Sequence, residues 1–430
     1  MKKLLTFFVI ACMFSSVSPA QQTDDACLLP IQKNGKWGFI DTTGKIVIEP
    51  VYSWAGKFIE GRAMVNQGGT LSEYIKPMDG KFGFIDKSGK LVVQCLYEIA
   101  TDFCSGRAKV LIGDKYGFVD PDGKVAIPAI YEDVSEFRDG LAVITINEKY
   151  GVIDVNGKVV LEPVYKTAPF FDEGFSTMGY IFNKGLMNRH GKYVTDTIFF
   201  DIQTMKNGLA TVITVDSARY GMVDSTGRMV IHTGYGYLSY FSEGLCPAND
   251  SGVFRIDVLA VDGGKWGYID MNDKWVIPPQ YEDASMFNEG LAVVKKNGKC
   301  GVINKENKMI IPAKYASISQ FRSGIASFTQ DGKSGLMDVK GKVIVKPEYD
   351  AVYTNASGSS VVVKGRKYNE YYDISDYGKS GVIDKTGKLI LPLIYASVSS
   401  LKYGFYELTL KDGLEGYANS KGKIIWEPSK

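Results

Sequence analysis

The stretch from Lys36 to Tyr52, KWGFIDTTGKIVIEPVY, determines how the rest of the chain is interpreted. Apolar residues alternate on both sides of Asp-Thr-Thr-Gly-Lys, which is the pattern of two β-strands joined by a hairpin turn. The stretch from Lys81 to Tyr97, KFGFIDKSGKLVVQCLY, repeats this pattern closely. The sequence therefore predicts a protein built from one recurring hairpin.

The length of the repeat can be measured from the glycine that follows the aromatic residue in each copy. This glycine recurs at Gly38, Gly83, Gly117, Gly151, Gly185, Gly221, Gly267, Gly301, Gly335, Gly381 and Gly416. Subtracting successive positions gives a base period of 34, with three longer intervals of 45, 46 and 46. Helical tetratricopeptide repeats share this period, but alternation at every second residue and frequent glycines indicate strands.

One unit is clearest in GLAVVKKNGKCGVINKENKMIIPAKY, from Gly290 to Tyr315. Asn297-Gly298 supplies the two positive-φ positions of a type I′ turn, and Pro312, which has no amide hydrogen, is expected to end the last strand. The three predicted strands are Leu291 to Lys295, Lys299 to Ile303, and Met309 to Ile311.

The predicted fold is all-β, with about eleven tandem three-stranded antiparallel meanders between about Cys27 and Pro428. We expect them to stack as an elongated superhelix, or solenoid, and the alternative is a closed propeller-like ring. Because one three-stranded sheet is not stable alone, recurring aromatic residues such as Tyr131 and Phe137 are expected to be buried between neighbouring units. Copy five, residues 183–200, lacks the aromatic residue and the proline, and is expected to be bent or loosened.

The repeat resembles a known protein family. KWGFIDTTGK at Lys36 and KWGYIDMNDKWVIPPQYEDASMFNEGLAVV at Lys265 are similar to the WG-repeat (KWG-repeat) family. Copies such as KCGVIN and KSGLMD lack the tryptophan and match less closely. The resemblance implies tandem β-repeats in bacterial, often exported, proteins, and it attaches no general enzymatic activity to them.

The first residues have the zones of a secretory leader. MKK is followed by the apolar LLTFFVIACMF and by SSVSPA, so residues 1–20 are predicted to be a signal peptide and residues 21–430 the repeat array. Residues 9–12 also form a weak lipoprotein box, and a lipid anchor at Cys12 is the alternative. No later stretch has the roughly 20 apolar residues that a membrane-spanning helix needs.

Charge and motifs narrow the function classes. The 50 basic and 48 acidic side chains almost cancel, so no net field favours nucleic acid as a partner.

Asp41 and its equivalents recur at the first position of a turn, and Asn304 at the same position indicates hydrogen bonding rather than catalysis or calcium binding. The acidic pair Glu132-Asp133 is expected to be a solvated edge. No catalytic residue, cofactor or metal site is predicted, and a disulfide between Cys95 and Cys104 is left open.

The differences between copies point to a binding surface. Three insertions, at 66–80, 249–264 and 357–378, all replace the short type I′ turn and are therefore expected on one rim of the assembly. The last insertion is the strongest candidate, because tyrosines interleaved with charged residues suit protein or sugar surfaces. Its candidate binding residues are Tyr368, Tyr371, Tyr372, Tyr377 and Arg366.

These observations predict an exported, non-enzymatic scaffold that mediates protein–protein interaction in the periplasm, elsewhere in the cell envelope or outside the cell. An outer-membrane lipoprotein is the alternative location. A carbohydrate or cell-wall binding module that uses exposed aromatic rings is the alternative function. Burial of Trp37, Trp266 and the connection tyrosines would leave Trp54, Trp275, Trp426 and the insertions to carry the sugar hypothesis.

Overall fold

The computed structural model describes residues 27–70, 79–180, 183–255, 260–368, 374–401 and 404–429. Within these residues the chain is all-β and contains no α-helix. Ten sheets follow one another along the sequence, together with two small hairpins, β24-β25 and β38-β39, in the second and third insertions. The sheet β15 to β21 has seven strands and combines two units.

The strands of units one to five are β1 (Leu29–Lys33), β2 (Lys36–Ile40), β3 (Ile46–Tyr52), β4 (Trp54–Ile59), β5 (Arg62–Gln67), β6 (Lys81–Ile85), β7 (Leu91–Tyr97), β8 (Ala108–Ile112), β9 (Lys115–Val119), β10 (Val125–Tyr131), β11 (Asp133–Val134), β12 (Leu141–Ile146), β13 (Lys149–Asp154), β14 (Val159–Tyr165), β15 (Phe171–Asp172), β16 (Phe175–Tyr180), β17 (Asn183–Asn188) and β18 (Phe199–Ile202).

The strands of units six to eleven are β19 (Leu209–Thr214), β20 (Tyr220–Asp224), β21 (Met229–Tyr235), β22 (Tyr237–Leu238), β23 (Cys246–Asn249), β24 (Val253–Arg255), β25 (Ala260–Asp262), β26 (Trp266–Ile269), β27 (Trp275–Tyr281), β28 (Asp283–Ala284), β29 (Leu291–Lys296), β30 (Lys299–Asn304), β31 (Met309–Tyr315), β32 (Ser317–Ile318), β33 (Ile325–Gln330), β34 (Lys333–Asp338), β35 (Val343–Tyr349), β36 (Ala351–Thr354), β37 (Ser360–Lys364), β38 (Lys367–Tyr368), β39 (Ile374–Asp376), β40 (Lys379–Ile383), β41 (Leu389–Tyr395), β42 (Ser397–Ser400), β43 (Phe405–Thr409), β44 (Glu415–Asn419) and β45 (Ile424–Ser429).

Most units have four strands rather than the three predicted. In unit eight a two-residue strand, β28, pairs with β29 through Asp283 with Lys295 and Ala284 with Val294. We call such a strand the entry strand, and the next three the first, second and third long strands. The entry strand is too short to show alternation, which is why the sequence pattern did not indicate it. The three long strands form the antiparallel meander that was predicted. The third strand, however, does not end at Pro312 as expected but continues to Tyr315, because Pro312 lies in a bulge where its missing amide hydrogen costs no ladder bond.

A bulge in the third long strand explains the glycine of the repeat. In unit eight Cys300 pairs with Tyr315 and Val302 with Ile311, so Gly301 alone stands opposite three residues. A Cβ on Gly301 would lie 2.8 Å from the carbonyl oxygen of Ile311, which is too close for any side chain. Equivalent glycines in other units meet the same strand, and the repeat therefore requires glycine there.

The recurring aromatic residues form the layer between units, as predicted. The ring of Phe118 in the second long strand of unit three lies 4.7 Å from that of Phe137 in the connection of unit four. Tyr268 and Phe287 form the same pair between units seven and eight, also at 4.7 Å. Phe137 and Phe287 are buried, so neighbouring sheets share one continuous apolar core.

Unit five departs from this plan. Its second long strand, β17, pairs with β18 through a single residue pair, Lys184 with Phe199, and β18 continues into pairing with β19 of unit six. The sheets of units five and six are therefore merged. Phe199 is 15 residues from Lys184, the separation of Tyr315 from Cys300, and is buried as Tyr315 is. The irregularity thus lies within the third strand.

The first and last units contact each other. The hydroxyl of Tyr417 donates to the carbonyl oxygen of Pro30 at 2.8 Å, and Tyr417 shares a buried cluster with Leu29, Ile31 and Ile40. The sheets themselves stay separate, β1 to β3 and β42 to β45, so the two ends of the chain pack together without sharing strands.

Candidate functional site

The two ends of the sheets differ in what they carry. One end, which we call the insertion rim, holds the turns between first and second long strands and the connections that follow each third strand. All three insertions lie there: between β5 and β6, between β23 and β26, and between β37 and β40. The opposite end, which we call the glycine-turn rim, holds the two remaining turns of each unit.

On the glycine-turn rim the recurring aspartates form turns. The Oδ1 of Asp41 accepts hydrogen bonds from the amides of Thr43 at 2.8 Å and Lys45 at 3.1 Å. Asn304 accepts from the amide of Lys308 at 2.8 Å in the same position. Hydrogen bonds from the Thr43 hydroxyl and amide lower the pKa of Asp41. The aspartates therefore have the turn-forming role predicted from the sequence.

The glutamate of the recurring Glu-Gly pair links one unit to the next. The two carboxylate oxygens of Glu289 accept from the amides of Ser323 at 2.6 Å and Gly324 at 2.9 Å. Glu60 binds the amides of Ser105 and Gly106 of unit three in the same way. Sequence reasoning missed this role, although the recurrence of Glu-Gly at the same place in units two, five, seven and eight was a usable signal.

The paired carboxylates on the insertion rim also have structural partners. Glu132 accepts from the amides of Asn147 at 3.1 Å and Glu148 at 3.2 Å in the hairpin turn of its own unit. Asp133 forms an ion pair with Lys109 of the preceding unit at 2.8 Å. Both residues are exposed, as expected of a solvated edge, and they also organise the turn and contact the neighbouring unit.

Two insertions are anchored by equivalent asparagines at the end of the first long strand. Asn66 donates to the carbonyl oxygen of Asp79 at 3.1 Å, and Asn249 donates to that of Gly263 at 3.2 Å. Both side chains are fully buried. A buried amide that bonds backbone on both sides fixes the base of each insertion, so these segments leave the sheet in a defined direction.

The third insertion has a different anchor. Strand β37 occupies the first part of range 357–378 and pairs with β40, so only residues 365–378 lie between paired strands. The amide of Arg366 donates to Asp350 at 2.8 Å, and its guanidinium donates to the Tyr353 hydroxyl at 2.7 Å. Asp350 is also paired with Lys333.

The other candidate residues of this insertion are placed unevenly. Tyr377, near the end of the insertion, is 67% exposed, and Tyr353, which was not predicted as a candidate, is 53% exposed. Tyr368 ends the small strand β38. Tyr371 and Tyr372 lie outside the described residues. Arg366, Tyr353 and Tyr377 thus provide a cation and two accessible rings at one place on the insertion rim.

A second surface on this rim was not predicted. The residue that precedes the connection tyrosine is apolar and exposed in units one to four, and so are the equivalent Ile198 of unit five and Ile394 of unit ten. The residues of units one to four, which we call the apolar row, are Val51, Leu96, Ile130 and Val164, exposed by 60, 70, 60 and 66%. In units seven to nine the same position holds Gln280, Lys314 and Glu348. One sector of the rim is therefore apolar and another is polar.

The tryptophans are mostly withdrawn from solvent. Trp266 is buried, as are connection tyrosines such as Tyr131 and Tyr281, while Trp37 and Trp275 are half-buried. The rings that recur in every unit therefore serve packing. Among Trp54, Trp275 and Trp426, which remain as candidates for sugar binding, Trp275 lines a cavity of about 310 Å³.

The cysteines Cys95 and Cys104 are both free and belong to different cores. Cys95 packs against the cluster between units one and two, whereas Cys104 packs against the cluster around Phe118 and Phe137. Burial raises the pKa of the Cys95 thiol to about 11, so it is protonated at neutral pH. The two residues do not form the disulfide that was left open.

Comparisons with known proteins agree with the repeat. The profile of the WG containing repeat family matches nine segments, which together cover more than half of the chain: 37–70, 82–116, 116–150, 150–178, 220–252, 266–300, 301–333, 335–368 and 381–410. Residues 179–219, where the sheets of units five and six merge, are not matched. No curated protein matches the chain.

Several solved structures are similar to the chain at low identity. A eukaryotic initiation factor has 10% identity and a TM-score of 0.40, over 72% of this chain and 92% of its own. Hsv2p of Kluyveromyces lactis has 10% identity and a TM-score of 0.29, over 65% and 96%. PorZ of Porphyromonas gingivalis, described as a surface component of the type-IX secretion system, has 10% identity and a TM-score of 0.21, over 92% and 73%.

None of the described residues between 27 and 429 forms a helix with the length and hydrophobicity needed to span a membrane.

Proposed function

Because the chain belongs to the WG containing repeat family, we propose that it is a non-enzymatic scaffold that binds a protein partner through its insertion rim. The partner lies in the periplasm, at the cell envelope or outside the cell. The leader-like pattern of residues 1–20 supports export. The recurrent carboxylates described above accept hydrogen bonds from turns and from neighbouring units. This structural use supports the non-enzymatic part of the proposal.

The apolar row is the observation that carries this proposal. Val51, Leu96, Ile130 and Val164 repeat in one register at an accessible edge, where charged residues serve the fold equally well in units eight and nine. Nothing in the packing requires apolar side chains at these positions. Exposed apolar patches on otherwise polar proteins mark interaction surfaces. The arginine and tyrosines of the third insertion add the residue types that are enriched at interfaces.

The test is affinity capture with purified mature protein, followed by cross-linking to map the contacts. In one variant the four residues of the apolar row are replaced by lysine, as found naturally at Lys314. In a second, residues 365–378 are replaced by Asn-Gly, which keeps β37 and β40 intact. The control replaces Gln280, Lys314 and Glu348 by alanine. Equal capture of every partner by all forms would disprove the proposal.

We further propose that the units form a closed ring rather than an elongated superhelix. In regular neighbours the turn glycine of one unit lies against the third strand of the unit before it: Gly89 against Ile48, and Gly157 against Ile127, each at 3.3 Å from an added Cβ. Gly44 of unit one makes this contact with Ile425 of unit eleven. The last unit therefore stands where a preceding neighbour would.

Small-angle X-ray scattering separates the two shapes, because a ring has a much smaller radius of gyration than an extended array of the same units. A maximum dimension close to the summed length of all the units stacked in a row would exclude the ring. The scaffold proposal and the ring proposal are independent, since either shape can present the apolar row.

A further inference from the structure

We propose that a saccharide-binding pocket lies between units six and seven, with Trp275 as the stacking ring and Asp273 and His232 as the hydrogen-bonding groups. The cavity has a volume of about 310 Å³ and is lined by β21, by the turn before β27 and by the base of the second insertion. This site is separate from the apolar row, and nothing in the scaffold proposal depends on it.

The cavity exists because unit six lacks a side chain that other units have. Gly234 occupies the position of the apolar row residues, before the connection tyrosine Tyr235. A Cβ added at Gly234 would meet nothing within 4 Å, and its φ is not in the left-handed region, so local geometry does not require glycine. The missing side chain at residue 234 leaves the edge of β21 open beside Trp275.

A second exception provides the polar group. Asp273 stands at the turn position that glycine holds in most units, with a φ of 61°. Its Oδ1 accepts from the hydroxyl of Tyr235 at 2.6 Å, and its Oδ2 accepts from the His232 amide at 3.1 Å and contacts Nδ1 at 3.0 Å. The carboxylate is thereby held in one orientation at the cavity wall.

This arrangement determines which ligand chemistry fits. A carboxylate only accepts hydrogen bonds when it is ionised, so its contact with Nδ1 of His232 requires the proton to lie on Nδ1. The His232 side chain is 84% exposed and lines the cavity. The cavity is lined by two carboxylates, Asp273 and Asp250, which accept hydrogen bonds and therefore suit a ligand rich in donors. Adjacent hydroxyls of a sugar ring supply such donors.

The aromatic wall fits the other face of a sugar. Trp275 is half-buried and is supported by the edge of Tyr235, with ring centroids 5.5 Å apart and planes at 69°. A ring fixed in this way can stack on the C–H face of a sugar while the hydroxyls reach Asp273. The volume is at the lower limit for small-molecule sites, which suits one sugar residue of a longer chain.

The neighbouring interface shows that this combination is not general. Between units seven and eight, Tyr281 donates to Asn307 at 2.6 Å, the equivalent of the Tyr235 contact with Asp273. There, however, Gln280 replaces Gly234 and Met309 replaces Trp275. The interface lacks both the open edge and the ring, and it provides a matched control.

Isothermal titration calorimetry of the full mature chain with maltotetraose, cellotetraose, chitotetraose and mannotetraose tests the proposal. We expect at least one of them to bind. Gly234→Val, which restores the side chain of Val51 and fills the opening, should weaken that binding about ten-fold or more, as should Trp275→Ala. Asn307→Gly should leave it unchanged.

Asp273→Gly restores the usual turn residue, so it removes the carboxylate without straining the turn, and it should also weaken binding. Choline chloride serves as a cation probe for the same pocket. Binding of choline with no response to any of the four sugars would overturn the saccharide assignment. The absence of any binding, or sugar binding that Gly234→Val leaves unchanged, would also overturn it.

Discussion

Units five and eight have the same length between equivalent residues, but they fold differently. In unit eight the third strand pairs with the second on both sides of the bulge, and the chain then leaves the sheet after Tyr315. In unit five the corresponding segment keeps the Lys184–Phe199 pair and the Met187–Tyr193 bridge, lacks the pair between them, and continues into unit six. Two of the positions that differ lie at the bulge, where Ile311 and Pro312 of unit eight correspond to Thr195 and Asp196.

The comparison teaches what separates one unit from the next. In unit eight the apolar residue Ile311 is buried at the bulge, and Pro312, which has no amide hydrogen, lies within the bulge, where no ladder hydrogen bond is needed. In unit five the hydroxyl of Thr195 accepts from the amide of Leu186 at 2.8 Å, in place of a backbone partner. A cavity of about 370 Å³ remains beside Thr195 and Phe199. The bulge of unit five thus lacks the central residue pair and the apolar side chain that unit eight has, and the sheets of units five and six merge at this place.

The largest effect is expected from filling the bulge of a regular unit. Gly301→Val places side-chain atoms against the carbonyl oxygen of Ile311 and should lower the free energy of unfolding by about 3 kcal/mol or more. Urea unfolding and limited proteolysis measure the loss. Gly234→Ala, which meets nothing within 4 Å, is the control. Equal stability of the two variants would contradict this account of the bulge.

Restoring the regular sequence in unit five should have a smaller effect of opposite sign. Thr195→Ile with Asp196→Pro buries an apolar side chain in the cavity and fixes the backbone, and should raise the free energy of unfolding by about 1–2 kcal/mol. Thermal unfolding measures the gain. The reverse exchange in unit eight, Ile311→Thr with Pro312→Asp, should lower it. A loss in the first variant would mean that the merged sheet is the more stable arrangement.

Breaking a contact between units should lower the free energy of unfolding by less than filling the bulge does. Glu289→Gln removes the charge that accepts from Ser323 and Gly324, and should cost about 1 kcal/mol. Hydrogen exchange at these two amides reports the change locally. Glu306→Gln, an exposed neighbour in the turn before β31, should leave the exchange unchanged. Similar exchange in both variants would remove the linking role of the Glu-Gly pair.

The smallest effect is a pH dependence of single turns. The amides of Lys274 and Asn272 lower the pKa of Asp270, so its contribution to stability is present above the unfolded pKa of about 4 and is lost as pH falls through the folded value. Asn304 occupies the same position without titrating. Asp270→Asn should therefore flatten the acid loss of protection in its turn, measured by hydrogen exchange between pH 5 and 3. An unchanged pH profile would contradict the assignment.

The periodic features were predictable from the sequence because they repeat. The alternating strands, the turn aspartates and the aromatic layer recur with one spacing, and each has a local physical cause that one copy displays. The entry strands were missed because two residues such as Asp283 and Ala284 cannot show alternation. The role of Glu289 was missed because its partners belong to the next unit.

The candidate site was less predictable, because it depends on exceptions. Arg366 and Tyr377 were identified from composition, but Tyr353 joins them only through the fold. The apolar row requires knowledge of which face of the third strand meets solvent, and alternation alone does not settle this beside a bulge. The pocket at Gly234 results from a missing side chain, which no motif search detects.

The hydrogen bond from Tyr417 to Pro30 joins residues 387 positions apart. Neighbouring units can assemble as soon as the ribosome or a translocation channel releases them, because their contacts span little more than one period. The side of unit one around Leu29 and Ile40, by contrast, must wait for the last unit to be synthesised. A chain cut short near its C-terminus would display two uncovered apolar ends at once, which gives quality-control proteases a direct way to recognise incomplete copies.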